Sequence, residues 1–68
     1  MRLGIDTGGT FTDFVVVDTD DGGKLRLRTH KVLSTPDAPE RAILRGIDEL
    51  GLGAAVAAGK VQIVHGST

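Results

Sequence analysis

An apolar run that ends in a carboxylate, Leu3-Gly4-Ile5-Asp6, leads straight into the Thr/Gly turn Thr7-Gly8-Gly9-Thr10-Phe11-Thr12, and a second acid, Asp13, and a second apolar run, Phe14-Val15-Val16-Val17, follow. The residues after the glycines are β-branched and aromatic, which favours a strand over a helix. The segment therefore reads as strand, glycine-rich turn, strand. Gly8 and Gly9 permit positive φ and let a ligand approach with no Cβ in the way. Successive N–H groups in such a turn can converge into a nest for phosphate oxygens. The hydroxyls of Thr7, Thr10 and Thr12 add donors. Asp6 and Asp13 would repel a bare phosphate, but they make sense beside one when Mg²⁺ lies between, held partly through water. The plainer alternative is an ordinary glycine hairpin in which Asp6 bonds its own backbone. Asp13 divides evenly between holding metal or water and bonding the turn N–H groups.

The two common phosphate loops are absent, since the chain has no G-x-x-x-x-G-K-[ST] and no G-x-G-x-x-G, and both of those feed a helix N-terminus. Other functional classes are also disfavoured. There is no cysteine, hence no disulfide, thiol nucleophile or thiolate zinc site. That absence suits a reducing cytoplasm, which is the expected compartment. No apolar stretch is long enough for a signal peptide or membrane span. A net charge of −1 and two phenylalanines as the whole aromatic content give no reason to expect nucleic acid or an anionic membrane as partner.

Along the chain, strands are expected at 2–6, 13–19, 24–33 and 61–65. Asp20-Asp21-Gly22-Gly23 is a turn signal between the second and third. In the third strand Leu25, Leu27 and Thr29 share one face and Lys24, Arg26, Arg28 and His30 the other. This pattern suits a half-exposed outer strand with a solvated basic face, which also covers Lys31. Phe14 to Val17 does not alternate and reads as a central strand, covered on both sides in the intact protein. Pro36 and Pro39 bracket a helix start. Asp37 with Glu40 has the form of a capping box, while Ala38 before Pro39 is the competing cap. Ile43, Leu44, Ile47 and Leu50 form the apolar stripe of the helix, and Gly51 and Gly53 end it. Residues 54–59 read as a short helical turn or loop. His30 is expected on the surface, and His65 as a satisfied structural histidine.

A phosphate turn inside a β-hairpin, with an aspartate closing the first strand, resembles the first phosphate loop of the actin, Hsp70 and sugar-kinase ATPases. Within that superfamily, Gly4-Ile5-Asp6-Thr7-Gly8-Gly9-Thr10-Phe11-Thr12-Asp13 is similar to the hydantoinase/oxoprolinase A-type proteins. Lys31 to Asp37 resembles their K-x-x-S-T-P segment. His65-Gly66-Ser67-Thr68 resembles their H-G-T-T segment, with Ser67 in place of the usual threonine and its hydroxyl kept.

The resemblance implies an α/β, ribonuclease-H-like partial domain in the order β-β-β-α-β, with three antiparallel strands and a fourth parallel to the first. Residues 1–68 would then be the N-terminal fragment of an ATP-binding domain. The loops after Asp6 and after His65 would meet at one sheet edge. The whole enzyme would be an ATP-dependent amidohydrolase that opens a cyclic amide of the 5-oxoproline or hydantoin type. Asp6 would be catalytic. Thr7, Gly8, Gly9, Thr10, Thr12, Asp13, Ser67 and Thr68 would bind ATP, and Asp6 with Asp13 would hold Mg²⁺. Alternatives are a subunit of an ATP-dependent ketone carboxylase and a non-catalytic actin-like nucleotide module. Expected partners are nucleotide, cyclic amide, the remainder of the chain and a B-type subunit. The fragment alone is expected to be inactive and to self-associate through an uncovered sheet face.

Overall fold

The computed structural model describes residues 1–67, and of Ser67 the backbone alone. The elements run β1 (Arg2–Thr7), β2 (Phe11–Thr19), β3 (Leu25–Leu33), α1 (Pro39–Glu49), α2 (Gly53–Ala57) and β4 (Gln62–Ser67). The strands form one sheet in the order β3-β2-β1-β4. β1–β2 and β2–β3 are antiparallel and β4 runs parallel to β1. The expected α/β order is thus observed. β1 and β2 reach further than expected, to Thr7 and from Phe11, so the intervening turn is only Gly8 to Thr10. The N–H of Gly8 closes the hairpin on the carbonyl of Phe11 at 2.9 Å.

The β2–β3 turn forms where the Asp/Gly cluster placed it. Oδ1 of Asp20 accepts from the N–H groups of Gly22 and Lys24, each at 2.9 Å. On the neighbouring rungs, the carboxylate of Asp18 accepts from the Thr19 N–H at 2.7 Å and from Arg26 Nη2 at 3.2 Å. The Thr19 bond first, and Arg26 after it, hold the Asp18 carboxyl below its ordinary value. A carboxyl with a lowered folded pKa stabilises the fold above its unfolded pKa. That stabilisation is lost as pH falls through the folded value. The group is partly exposed and its Arg26 partner more so, which keeps the effect small. Asp18→Asn should flatten the acid side of the stability–pH curve, read from chemical denaturation at a series of pH values. An unchanged acid slope would show that the pair contributes nothing.

The core lies on one side of the sheet. Leu3, Ile5, Phe14, Val16 and Val32 are buried there beneath Ala42 and Ile47 of α1 and Leu52 of the α1–α2 link. Registry explains the set: Leu3 pairs with Val16 and Ile5 with Phe14, so their side chains project to the same face. The other face carries Gly4, Asp6, Asp13, Val15 and Val17, and on β3 Leu25, Leu27 and Thr29. It is uncovered, with Val15, Leu25, Leu27 and Val64 exposed.

An open second face is what residues 1–68 taken alone are expected to leave. The pairing of β3 with β2, however, reverses the expected inside of β3. Phe14 sits opposite His30 and Thr12 opposite Val32, so the even-numbered residues of β3 face the helix and its leucines face outward. His30 is correspondingly not a plain surface residue. It is half-buried, its Nε2 lies 2.7 Å from Glu49 Oε1, and its ring lies 6.2 Å from that of Phe14.

Helix α1 begins as Pro39 allows, with Ala38 as cap residue and no side-chain cap bond. The Asp37/Glu40 capping box therefore does not form. Thr35 takes over instead: its hydroxyl donates to the Ala38 carbonyl at 2.7 Å and accepts from the Ala42 N–H at 3.1 Å. At the other end Gly51 adopts φ +74°. Gly51 N–H bonds Asp48 O at 2.9 Å and Leu52 N–H bonds Ile47 O at 3.0 Å. This is a Schellman ending, with buried Leu52 as its apolar contact.

The packed side of α1 differs from the expected stripe, because Leu44 is exposed while Ala42 and Gly46 are buried. Small residues at 42 and 46 bring the helix close to the sheet, and the Phe14 ring fills the space under Gly46.

Candidate functional site

The parallel pairing of β1 and β4 sets Asp6 beside Gly66 and Thr7 beside Ser67. The turn after β1 and the end of β4 therefore lie on one edge of the sheet. In open α/β sheets ligands bind outside the carboxyl ends of the parallel strands.

Asp6 and Asp13 are direct cross-strand partners, so their Cβ atoms lie roughly 4.5–5.5 Å apart on the uncovered face. With Gly4, Val15, Val64 and Gly66 they line a shallow groove. Asp6 is exposed, and no salt bridge of Asp6 occurs among the described residues. Asp13 is half-exposed and lies 3.5 Å from Lys31 Nζ, its partner on β3. Lys31 also sits 4.8 Å over the Phe11 ring. Asp13 is thus ion-paired, and it does not bond the turn N–H groups as one reading allowed.

Like charges directly opposite each other destabilise a sheet, and one lysine offsets only part of this pair. A divalent cation between the two carboxylates would remove the repulsion. The described residues hold no cluster of three or more metal-ligating side chains. A cation there would find only these two carboxylates among the described residues, a sparse set that is compatible with Mg²⁺, which usually keeps several waters.

The turn itself is held from beneath. Ser34, just after β3, donates its hydroxyl to the Gly8 carbonyl at 2.7 Å, and its N–H donates to the Thr10 carbonyl at 2.8 Å. Thr12 Oγ1 lies 3.0 Å from Ser34 Oγ. The Ser34 hydroxyl proton is already committed to Gly8, so Thr12 is the donor in that bond. Thr12 is fully buried. Its hydroxyl supports the turn and cannot also face a phosphate, which corrects the expectation that Thr12 is a direct donor.

The role of the glycines also changes. Positive φ occurs at Gly23, Gly51 and Gly59, not at Gly8 or Gly9. The Gly8 N–H is spent within the hairpin, whereas Gly9 and Thr10 donate none of the turn's hydrogen bonds among the described residues. Both are exposed, and a Cβ at Gly9 would meet nothing within 4 Å. Among the described residues, the donors of the turn left without a partner are therefore Gly9 N–H, Thr10 N–H and the Thr10 hydroxyl.

Thr7 points to the other side of the sheet from Asp6, where its Oγ1 lies 2.9 Å from His65 Nε2. His65 has a partner, as a structural histidine should, yet it is exposed. Of the remaining candidates, Thr68 and the side chain of Ser67 lie outside the described residues.

From sequence, Ser34 enters only within the Lys31 to Asp37 resemblance, with no role at the site. The signal was present in the hairpin register: once Asp20 to Gly23 forms the turn, Phe11 falls opposite Leu33 and Ser34 arrives beside Thr10.

Sheet order and the parallel β1–β4 pair define an α/β unit of the partial actin-like kind. The chain belongs to the hydantoinase/oxoprolinase N-terminal region family, whose model matches residues 2–68. No curated protein and no solved structure matches it. Among the described residues no helix is long and apolar enough to cross a membrane.

Proposed function

We propose that the chain supplies the first phosphate-binding loop of an ATP-dependent hydrolase of cyclic amides, of the hydantoin or 5-oxoproline type. The observation that carries this reading is the pair of opposed carboxylates, Asp6 and Asp13, beside two uncommitted turn N–H groups at the carboxyl edge of parallel strands. Membership of the hydantoinase/oxoprolinase N-terminal region family supports the choice of substrate class.

Gly9 N–H, Thr10 N–H and the Thr10 hydroxyl bind phosphate oxygens. Asp6 holds Mg²⁺ on the open face of the sheet, and Asp13 assists from its ion pair with Lys31. Such a site acts by positioning phosphates and neutralising their charge. Bound ATP supplies the phosphoryl group that turns a poorly reactive amide oxygen into a leaving group. Residues 1–68 form the N-terminal part of the ATP-binding domain in this reading, with the groups that bind the cyclic amide supplied from outside them.

Titrating Mg-ATP into the chain should shift the backbone amide signals of Gly9 and Thr10 first, with Gly8 following. Binding should be weak. Shifts confined to α1, with none in the turn, would overturn the assignment. For the hydrolase that contains this loop, ATP hydrolysis should rise only when a hydantoin or 5-oxoproline is added; turnover indifferent to both would point to a nucleotide-binding module without amide chemistry.

A further inference from the structure

Two consecutive hydroxyl residues, Ser34 and Thr35, do separate jobs. Thr35 ties the start of α1. Ser34 makes three hydrogen bonds, two to the turn between β1 and β2 and one with Thr12 of β2. It takes up the carbonyls of both Gly8 and Thr10. In a trans peptide the N–H points opposite to the carbonyl, so holding the Gly8 carbonyl toward Ser34 directs the Gly9 N–H away from it. The Thr10 N–H belongs to the next peptide, which is confined between the two that Ser34 anchors through the Gly8 and Thr10 carbonyls. The buried Thr12 hydroxyl in turn donates to Ser34 and fixes its rotamer.

We propose that Ser34, oriented by Thr12, is the positioning residue that holds the Gly9 and Thr10 N–H groups in a phosphate-accepting arrangement before any ligand arrives. The inference rests on the phosphate-loop reading above and adds a residue outside the glycine turn to it. Its physical basis is preorganisation: a loop already held in its bound form has less freedom to lose on binding. Ser34 touches neither nucleotide nor metal and acts only through the turn.

The test compares wild type with Ser34→Ala, Ser34→Thr, Thr12→Val and Thr35→Ala. Two quantities are read on the Gly9 and Thr10 amides: backbone relaxation without ligand, and Mg-ATP affinity. Ser34→Ala should loosen both amides and weaken Mg-ATP about fivefold, the size of one typical hydrogen bond. Ser34→Thr, which keeps the hydroxyl, should restore both. Thr12→Val, which removes the donor to Ser34, should move both quantities in the same direction and decides the matter should Ser34→Ala fail to fold. Thr35→Ala should lower the melting temperature and change neither, which separates positioning from general stability.

Amides that stay rigid in Ser34→Ala and Thr12→Val overturn the inference whatever Mg-ATP does. Loosened amides with unchanged affinity overturn the positioning role and leave the phosphate reading standing. Wild-type amides that are ordered but indifferent to Mg-ATP remove the phosphate reading, and the positioning role falls with it.

Discussion

Replacing Gly46 with alanine will destabilise the chain by about 1–3 kcal/mol, the range for overpacking a well-packed core. Two effects oppose each other at this site. Alanine is the better helix former by about 1 kcal/mol in an exposed helix interior. Against that, the new Cβ would lie 2.1 Å from Phe14 Cζ, 2.3 Å from Cε1 and 2.7 Å from Cε2. Those atoms belong to a rigid ring that is 1% exposed, so relief requires moving the helix off the sheet. At roughly 0.05–0.15 kcal/mol per residue a domain of this size has only about 3–10 kcal/mol in all, so the loss is a large share.

The partner variant identifies the cause. Phe14→Leu alone should destabilise by leaving space under Gly46. Combined with Gly46→Ala it should lose less than the sum, because the added methyl enters that space. Urea denaturation of the four proteins supplies the cycle. A Gly46→Ala chain as stable as wild type would mean that the ring swings aside freely and that helix propensity wins.

Asp6→Asn should act in the opposite sense on stability and function. Removing one of two opposed carboxylates relieves like-charge repulsion, so stability should hold or rise by a few tenths of a kcal/mol. The substitution keeps the size of the side chain and removes the charge that attracts Mg²⁺. The gain in ATP affinity that Mg²⁺ produces should fall at least about tenfold, which corresponds to roughly 1.4 kcal/mol. Calorimetric titration of ATP with and without Mg²⁺ measures it, beside a thermal melt of each protein. A change within about threefold would sink the metal role of Asp6, and a large drop in melting temperature would recast the residue as structural.

Much of the layout was legible because it depends on neighbours along the chain. Turn chemistry at Asp20 to Gly23 and at Gly51, and the apolar runs of β1 and β2, carry their signal within a few residues. So does the carboxylate–glycine–carboxylate pattern of Asp6 to Asp13. The illegible parts depend on registry and on which face the helix takes. Thr12 looked like a third hydroxyl of a phosphate turn, yet the strand alternation that buries Phe14 and Val16 also buries Thr12. Leu25 and Leu27 looked like the inner face of β3, but β2 had already assigned its inward positions and β3 followed by pairing. Asp37 and Glu40 matched a capping box, but the Thr35 hydroxyl reached the helix start first.

By itself, then, the sequence determined the order of elements, the turn between β1 and β2 and the residue types gathered there. These rest on local propensity and on spacing that the chain carries wherever it goes. Only the tertiary structure decided which donors of that turn are free. Ser34 is 26 residues from Gly8 along the chain, and it occupies the inner side of the turn only once β3 has paired with β2. The tertiary structure also decided that Gly46 matters, because a glycine in a helix is a weakness until a ring from another strand fills the space its missing Cβ leaves.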